Sequence, residues 1–261
     1  MFDEGTLHMG FPANDVLTGE PLAPLAEGTL EKLKQVGVAG IVTELFKRGL
    51  RDTALTGVMP LRDPAVPMAG EAFTVRTIPM RPDIGTPDFM VKLPQNLQRL
   101  AVTGVGAGQV LCVDARGDMR AGFMGDILAA SLAVREVAGV VTDGGLRDTA
   151  GIAETGLAAY CAGRAPAGSQ AHLHIVDLNV PIACGGRPVF PGDVLVGDSE
   201  GVVAVPRAIS AEIAEAGVEQ ADLEAFCLER IKAGAPLINT YPPDAETRAV
   251  WEATRKGRQQ D

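Results

Sequence analysis

Residues 125–148 read GDILAASLAVREVAGVVTDGGLRD. Over 126–137 the apolar side chains fall on nearly all sides of a helical wheel, which predicts a well-buried helix. GVVTD (139–143) is a compact apolar run that predicts a buried strand. Gly144 and Gly145 then predict a glycine turn ending at Arg147-Asp148, followed by a short helix over 148–155. Helix, buried strand and helix in succession are the pattern of an α/β fold.

The same pattern extends outward on both sides. QVLCVDA (109–115) is an apolar strand ending in Asp114, and GEAFTVRTIP (70–79) is a strand with Phe73, Val75 and Thr77 on one face. HIVDLNVPI (174–182) sets Val176, Leu178, Val180 and Ile182 against Asp177, Asn179 and Pro181, as a half-buried strand does. PGDVLVGDSEGVVAVP (191–206) reads as two short strands around a glycine turn. TLEKLKQVG (29–37) and residues 43–49 are short helices, each closed by a glycine, and 209–233 is a long charged helix stopped by Gly234 and Pro236. GVGAG (104–108) lacks the arrangement a dinucleotide loop needs and reads as a loop before the strand at 109. With no internal repeat and no low-complexity linker, the expected organisation is a single α/β domain over 29–236. It carries an irregular N-terminal extension (1–28) and a C-terminal extension (237–261).

The composition narrows the functional classes. A formal net charge of −10 with no Lys/Arg-rich run disfavours nucleic acid as a partner, since phosphate binding needs a positive field. No run approaches the roughly 18 to 20 apolar residues that span a bilayer. MFDEGTLHMG lacks the basic start and apolar stretch of a secretory signal, so the expectation is a soluble cytoplasmic protein. Cys112, Cys161, Cys184 and Cys227 are scattered without metal-ligand spacing and read as small buried hydrophobes.

Taken singly, Asp126 and Asp148 read as helix N-caps and Arg147 as one half of a surface ion pair. Together they suggest more. A guanidinium binds a carboxylate through two parallel hydrogen bonds, and a helix start at 126–128 offers unpaired amides to an anion. A carboxylate such as Asp148 suits Mg²⁺ or Mn²⁺, hard cations that retain water and need few protein ligands. A 2-oxo acid chelated to that cation would be activated for cleavage of the adjacent C–C bond. His172 and His174 form an HxH pair without a third ligand at a recognised spacing. Lys92, flanked by Val91 and Leu93, reads as a snorkelling lysine rather than a Schiff base.

GDILAA (125–130), GVVTDGGLRD (139–148) and CGGRPVFPGDVLVGDSEGVVAVP (184–206) resemble the RraA-like family, and LEAFCLERIKAG (223–234) resembles its C-terminal helix. The likeness runs from about residue 30 to 206. The family includes the class II 4-hydroxy-4-methyl-2-oxoglutarate/4-carboxy-4-hydroxy-2-oxoadipate aldolases and the regulator of ribonuclease E activity. The resemblance implies an α/β trimer or hexamer with sites at subunit interfaces. Arg147 would bind the pyruvyl carboxylate, Asp148 would ligate the cation directly, and Asp126 would hold a water on it. The backbone of Gly125, Ile127 and Leu128 would help seat the substrate. Glu224, from a neighbouring copy, would complete the water shell. The implied activity is a divalent-metal-dependent aldolase that releases pyruvate from a 4-hydroxy-2-oxo acid, with oxaloacetate decarboxylation as a side reaction. The alternatives are a non-catalytic regulator and a related hydratase or hydrolase on a sugar-acid-derived 2-oxo acid.

Overall fold

A computed structural model describes residues 22–83 and 96–258. The loop segment around Lys92 lies outside the described residues, as does most of the N-terminal extension.

Four strands form the centre: β2 (Met68–Pro79), β3 (Val110–Asp114), β5 (Gly139–Leu146) and β6 (Ala158–Arg164). They pair in parallel in the order β6-β5-β3-β2. The crossovers between them carry α2 (Leu97–Gly104), α3 (Asp126–Val134) and α4 (Thr149–Glu154). Strands sandwiched in this way are apolar on both faces, which is why VLCV and GVV read as continuous hydrophobic runs. On one face Phe73, Val75, Leu111, Val113 and Val140 pack with Leu132 and Ile152 of the helices. On the other, Ala72, Val110, Cys112, Val141 and Tyr160 form a second core.

The hairpin β11 (Val194–Asp198) and β12 (Gly201–Val205) adds antiparallel to β2. The stretch 53–61, which includes β1 (Met59–Pro60), touches both ends of this sheet. Leu55 N–H donates to Val202 O at 2.8 Å, while β1 pairs with β6 and Leu61 N–H donates to Ala159 O at 2.8 Å. One segment thus bridges the two edges, and the sheet is nearly closed like a barrel, which leaves few free strand edges. A small hairpin, β9 (Ile182–Cys184) with β10 (Arg187–Val189), sends Ile182, Cys184 and Val189 into the second core. β4 (Ala121–Gly122) lies between β5 and β7 (Ala167–Gly168), and β8 (Leu173–Leu178) pairs with β2.

α1 (Thr29–Lys47) and α5 (Ser210–Lys232) pack together over β11 and β12, burying Leu33, Ile41, Leu45 and Ile213. α5 ends where Gly234 takes a positive φ of 97°, as its sequence predicts. Within the C-terminal extension, α6 (Ala245–Arg258) docks on α5. Trp251 is buried with Leu223, Phe226 and Cys227, and its indole N–H donates to Asp222 Oδ2 at 2.7 Å. All four cysteines are buried and free.

Several expectations need correction. The two N-terminal helices are one continuous run broken at Gly37 (φ 75°, ψ 168°), and the second part starts at once because Asp198 Oδ2 accepts from Val38 N–H at 2.8 Å. Gly144 and Gly145 are not a turn but part of β5. A Cβ at Gly144 would lie 2.4 Å from Ala115 Cβ, and one at Gly145 would lie 2.8 Å from Ala165 Cβ, so the glycines serve close strand packing. α3 is less buried than its wheel suggests: it rests on the sheet through Ala129 and Leu132, leaving Ile127 79% and Val134 85% exposed. β8 ends at Leu178, where Asn179 adopts a positive φ of 53°, and Ile175 rather than Val176 points inward because the pairing with β2 shifts register between Arg76 and Thr77, passing from Asp177 to Ile175 and leaving Val176 unpaired. His174 lies on β8, but His172 follows a short 3-10 turn, so the two do not share a strand face.

Candidate active site

The end of β5 carries Arg147 and Asp148 into a cleft of about 230 Å³. The start of α3 contributes Gly125, Asp126, Ile127 and Leu128 to the same cleft, so six of the seven expected site residues line one cavity. Glu224 does not line it; it sits on α5, where its Oε1 accepts from Gln220 Nε2 at 2.8 Å.

Backbone contacts hold these loops in place. Phe123 N–H donates to Gly145 O at 2.9 Å and Arg147 N–H donates to Met124 O at 3.1 Å, which ties the approach to α3 alongside the end of β5. Gly122 permits this, since a Cβ there would meet Arg147 N at 2.6 Å. Upstream on β5, the buried Asp143 accepts from Ala115 N–H at 2.7 Å and Gly117 N–H at 3.1 Å, fastening β3 to β5. Burial pushes its carboxyl above the usual carboxylate range, against the lowering effect of those amides.

Asp148 stands at the N-cap position of α4 yet caps nothing. Its backbone is left-handed (φ 49°, ψ 40°) and its side chain makes no cap hydrogen bond. Such a conformation is uncommon outside glycine, though Asp and Asn tolerate it, and residues that adopt it cluster at functional sites. The carboxylate instead accepts from Arg147 Nε at 3.0 Å through Oδ2, directly over Gly125, where a Cβ would lie 2.5 Å from that oxygen. With side chains 43% and 45% exposed, the pair is solvent-screened and readily rearranged. Among the described residues only Nε is engaged, which leaves the Nη1/Nη2 edge of the guanidinium for a carboxylate.

Asp126 is the first residue of α3 rather than its cap, which is Gly125. Its Oδ1 accepts from Ile127 N–H at 2.7 Å, and its other oxygen leans over Gly151 of α4. Of the two amides expected to seat a substrate, Ile127's is therefore engaged within the chain. Leu128's, in the first helical turn, has no acceptor four residues back inside the helix. Among the described residues the charged oxygen donors lining the cleft are carboxylates, and no Cys or His lines it. That donor set fits a hard, partly hydrated divalent cation. Among the described residues no cluster of three His, Cys, Asp or Glu side chains could hold a metal by itself, so any cation here keeps much of its water or takes a ligand from elsewhere.

Five residues from remote segments complete the cleft without having been expected there: Gln98 and Arg99 of α2, Gly168 of β7, and Ser169 and Gln170 after it. Gln98 is buried and its amide donates to Phe123 O and, at 3.3 Å, to Ser169 Oγ. The available signal for α2 is Asn96, whose Oδ1 caps the helix by accepting from Arg99 N–H at 3.0 Å.

The family model described as RraA-like, Aldolase/RraA, matches residues 30–204, which contain every one of these cleft residues. The chain belongs to the RraA-like family. Among its relatives, a Halalkalibacterium halodurans protein named "Putative 4-hydroxy-4-methyl-2-oxoglutarate aldolase" is 36% identical over 119 residues, 45% of this chain and 56% of that protein. An Ectopseudomonas mendocina protein of the same name is 37% identical over 105 residues, 40% of this chain and 64% of the relative. The matched stretch thus spans less than two thirds of either relative. Streptomyces coelicolor RraAS2, described as an unusual member of the RNase ES inhibitor RraA protein family, superposes with a TM-score of 0.69 at 29% identity, over 79% of this RraA-like chain and 98% of its own. A Pseudomonas syringae protein shares the fold with a TM-score of 0.71 at 23% identity, over 84% of this chain and 100% of its own. No helix among the described residues is long and apolar enough to cross a membrane.

Proposed function

We propose that this cleft is the active site of a class II aldolase-type lyase, which cleaves a 4-hydroxy-2-oxo acid to pyruvate and a second carbonyl compound. The observation that carries the proposal is the convergence of two hard carboxylates and a half-free guanidinium in one cleft. The names of the aldolase relatives support it. Oxaloacetate decarboxylation, which releases the same pyruvate, is the expected side activity.

Asp148 would hold Mg²⁺ or Mn²⁺ directly, with Asp126 and Glu224 holding it through water, the last from a neighbouring copy in a trimer or hexamer. Such a cation supplies a Lewis acid for the 2-oxo group. Arg147 binds the substrate carboxylate with its Nη1/Nη2 edge, and its link to Asp148 fixes that carboxylate in register with the 2-oxo oxygen. The Leu128 amide and the positive end of α3 add to anion binding. Asp126, anchored through Oδ1 by Ile127 N–H, orients the water that takes the proton from the substrate 4-hydroxyl. Assembly with other copies would cover the exposed apolar side chains of α3, Ile127, Ala130 and Val134.

Arg147→Ala is expected to raise KM for a 4-hydroxy-2-oxo acid by about 10- to 100-fold, the loss of a charge-assisted contact, with a smaller effect on kcat. Pyruvate release followed by a coupled dehydrogenase reads this, and an unchanged KM would remove Arg147 from the substrate carboxylate. A second function, a regulator without catalysis, draws on the likeness to RraAS2. It requires a folded protein that releases no pyruvate from any such acid.

A further inference from the structure

Arg147 accounts for one anionic end of a substrate, and the matched motif around it supplies no second cation. A second one lines the cleft from another part of the chain. Arg99 is exposed on the first turn of α2, and among the described residues its guanidinium has no hydrogen bond or ion pair. Its backbone, in contrast, is fixed. Arg99 N–H donates to Asn96 Oδ1 at 3.0 Å, and the neighbouring Gln98 is pinned to Phe123 and Ser169 inside the cleft wall. A fixed backbone confines the ordering cost of binding to the side chain itself, and the uncommitted charged tip is free to take a ligand.

Charge balance agrees. Asp126 and Asp148 together match a divalent cation, and Arg147 matches one substrate carboxylate. Among this chain's own described residues lining the cleft, Arg99 is then the charge left without a counter-ion. We propose that Arg99 is a specificity-determining residue whose guanidinium binds a second carboxylate, at the end of the substrate away from Arg147. The substrate in the names of the aldolase relatives, 4-hydroxy-4-methyl-2-oxoglutarate, carries such a second carboxylate, and Arg99 is the residue by which this chain would distinguish it from a 2-oxo monoacid of equal length. This rests on the proposed function insofar as Arg147 takes the first carboxylate.

The test uses two unreactive ligands that differ only at the far end, 2-oxoglutarate and 2-oxopentanoate, titrated calorimetrically into the full chain with saturating Mg²⁺. The unmodified protein is expected to bind 2-oxoglutarate about tenfold or more tightly than 2-oxopentanoate, the preference one charge-assisted pair confers. Arg99→Ala removes that preference by weakening 2-oxoglutarate alone, and Arg99→Lys, which keeps the charge without the planar fork, restores part of it. Thermal melting checks that both variants fold, as an exposed site allows. Equal weakening of both ligands, or a preference that survives in Arg99→Ala, overturns the assignment, as does failure of the unmodified protein to bind either ligand. If the preference follows Arg99 but no 4-hydroxy-2-oxo acid is cleaved, the lyase proposal fails while the role of Arg99 stands.

Discussion

Asp148→Asn is expected to lower cation-dependent pyruvate release by on the order of 10³-fold while leaving the fold unchanged. The substitution is chosen because Asn, like Asp, tolerates the left-handed backbone that residue 148 adopts (φ 49°), so backbone strain is not altered. What is lost is the charge, and with it the ion pair to Arg147 Nε and the direct hold on the cation that the proposed function gives Asp148. That pair is exposed, and its contribution to stability is at most about 1 kcal/mol, so the melting temperature moves little. Asp148→Asn with near-normal turnover would remove Asp148 from the chemistry. A large drop in melting temperature would instead assign it a scaffold role.

Gly125→Ala separates position from charge and has the next largest expected effect. Gly125 has an extended backbone (φ −119°, ψ −168°) that alanine adopts freely, yet the added methyl would stand 2.5 Å from Asp148 Oδ2. The far end of the Asp148 side chain can swing away at little cost in stability, but it then leaves the place where it accepts from Arg147 Nε. Displacement of a reacting group by about 1 Å costs on the order of 10²-fold in rate, so turnover should fall by that factor with an intact fold. Steady-state kinetics beside a thermal melt checks it, and unimpaired turnover would mean that Asp148 need not sit over Gly125. Gly122, by contrast, faces Arg147 backbone, where nothing can swing away.

The strands were legible because burial on both faces leaves an uninterrupted apolar run, as in β3 and β5, and because a Ser199-Glu200 turn leading into Gly201 separates β11 from β12. α5 was legible to its end, since Gly234 and Pro236 stop a helix locally. The role of Gly144 and Gly145 was not. A turn and a tightly packed strand both demand a missing side chain, and only the distant Ala115 and Ala165 decide between them. The exposure of α3 was hidden for a related reason: a wheel apolar all round does not say which side meets the sheet. In the site, Arg147 and Asp148 are chain neighbours, but the grouping of Asp126 with them rests on the resemblance of their motifs to the RraA-like family, since spacing along the chain does not show which groups converge. Gln98, Arg99, Gly168, Ser169 and Gln170 could not be read in the sequence, because the sheet brings them to the cleft from segments with no shared local pattern.

The most direct measurement is pyruvate release by the full chain from a panel of 4-hydroxy-2-oxo acids and oxaloacetate, first with Mg²⁺ or Mn²⁺, then with EDTA, then with the cation restored. The expected result is release that needs the cation, stops with EDTA and returns on restoration. Folded protein that releases no pyruvate from any of these acids, or releases it undiminished in EDTA, would contradict a metal-dependent lyase at this cleft.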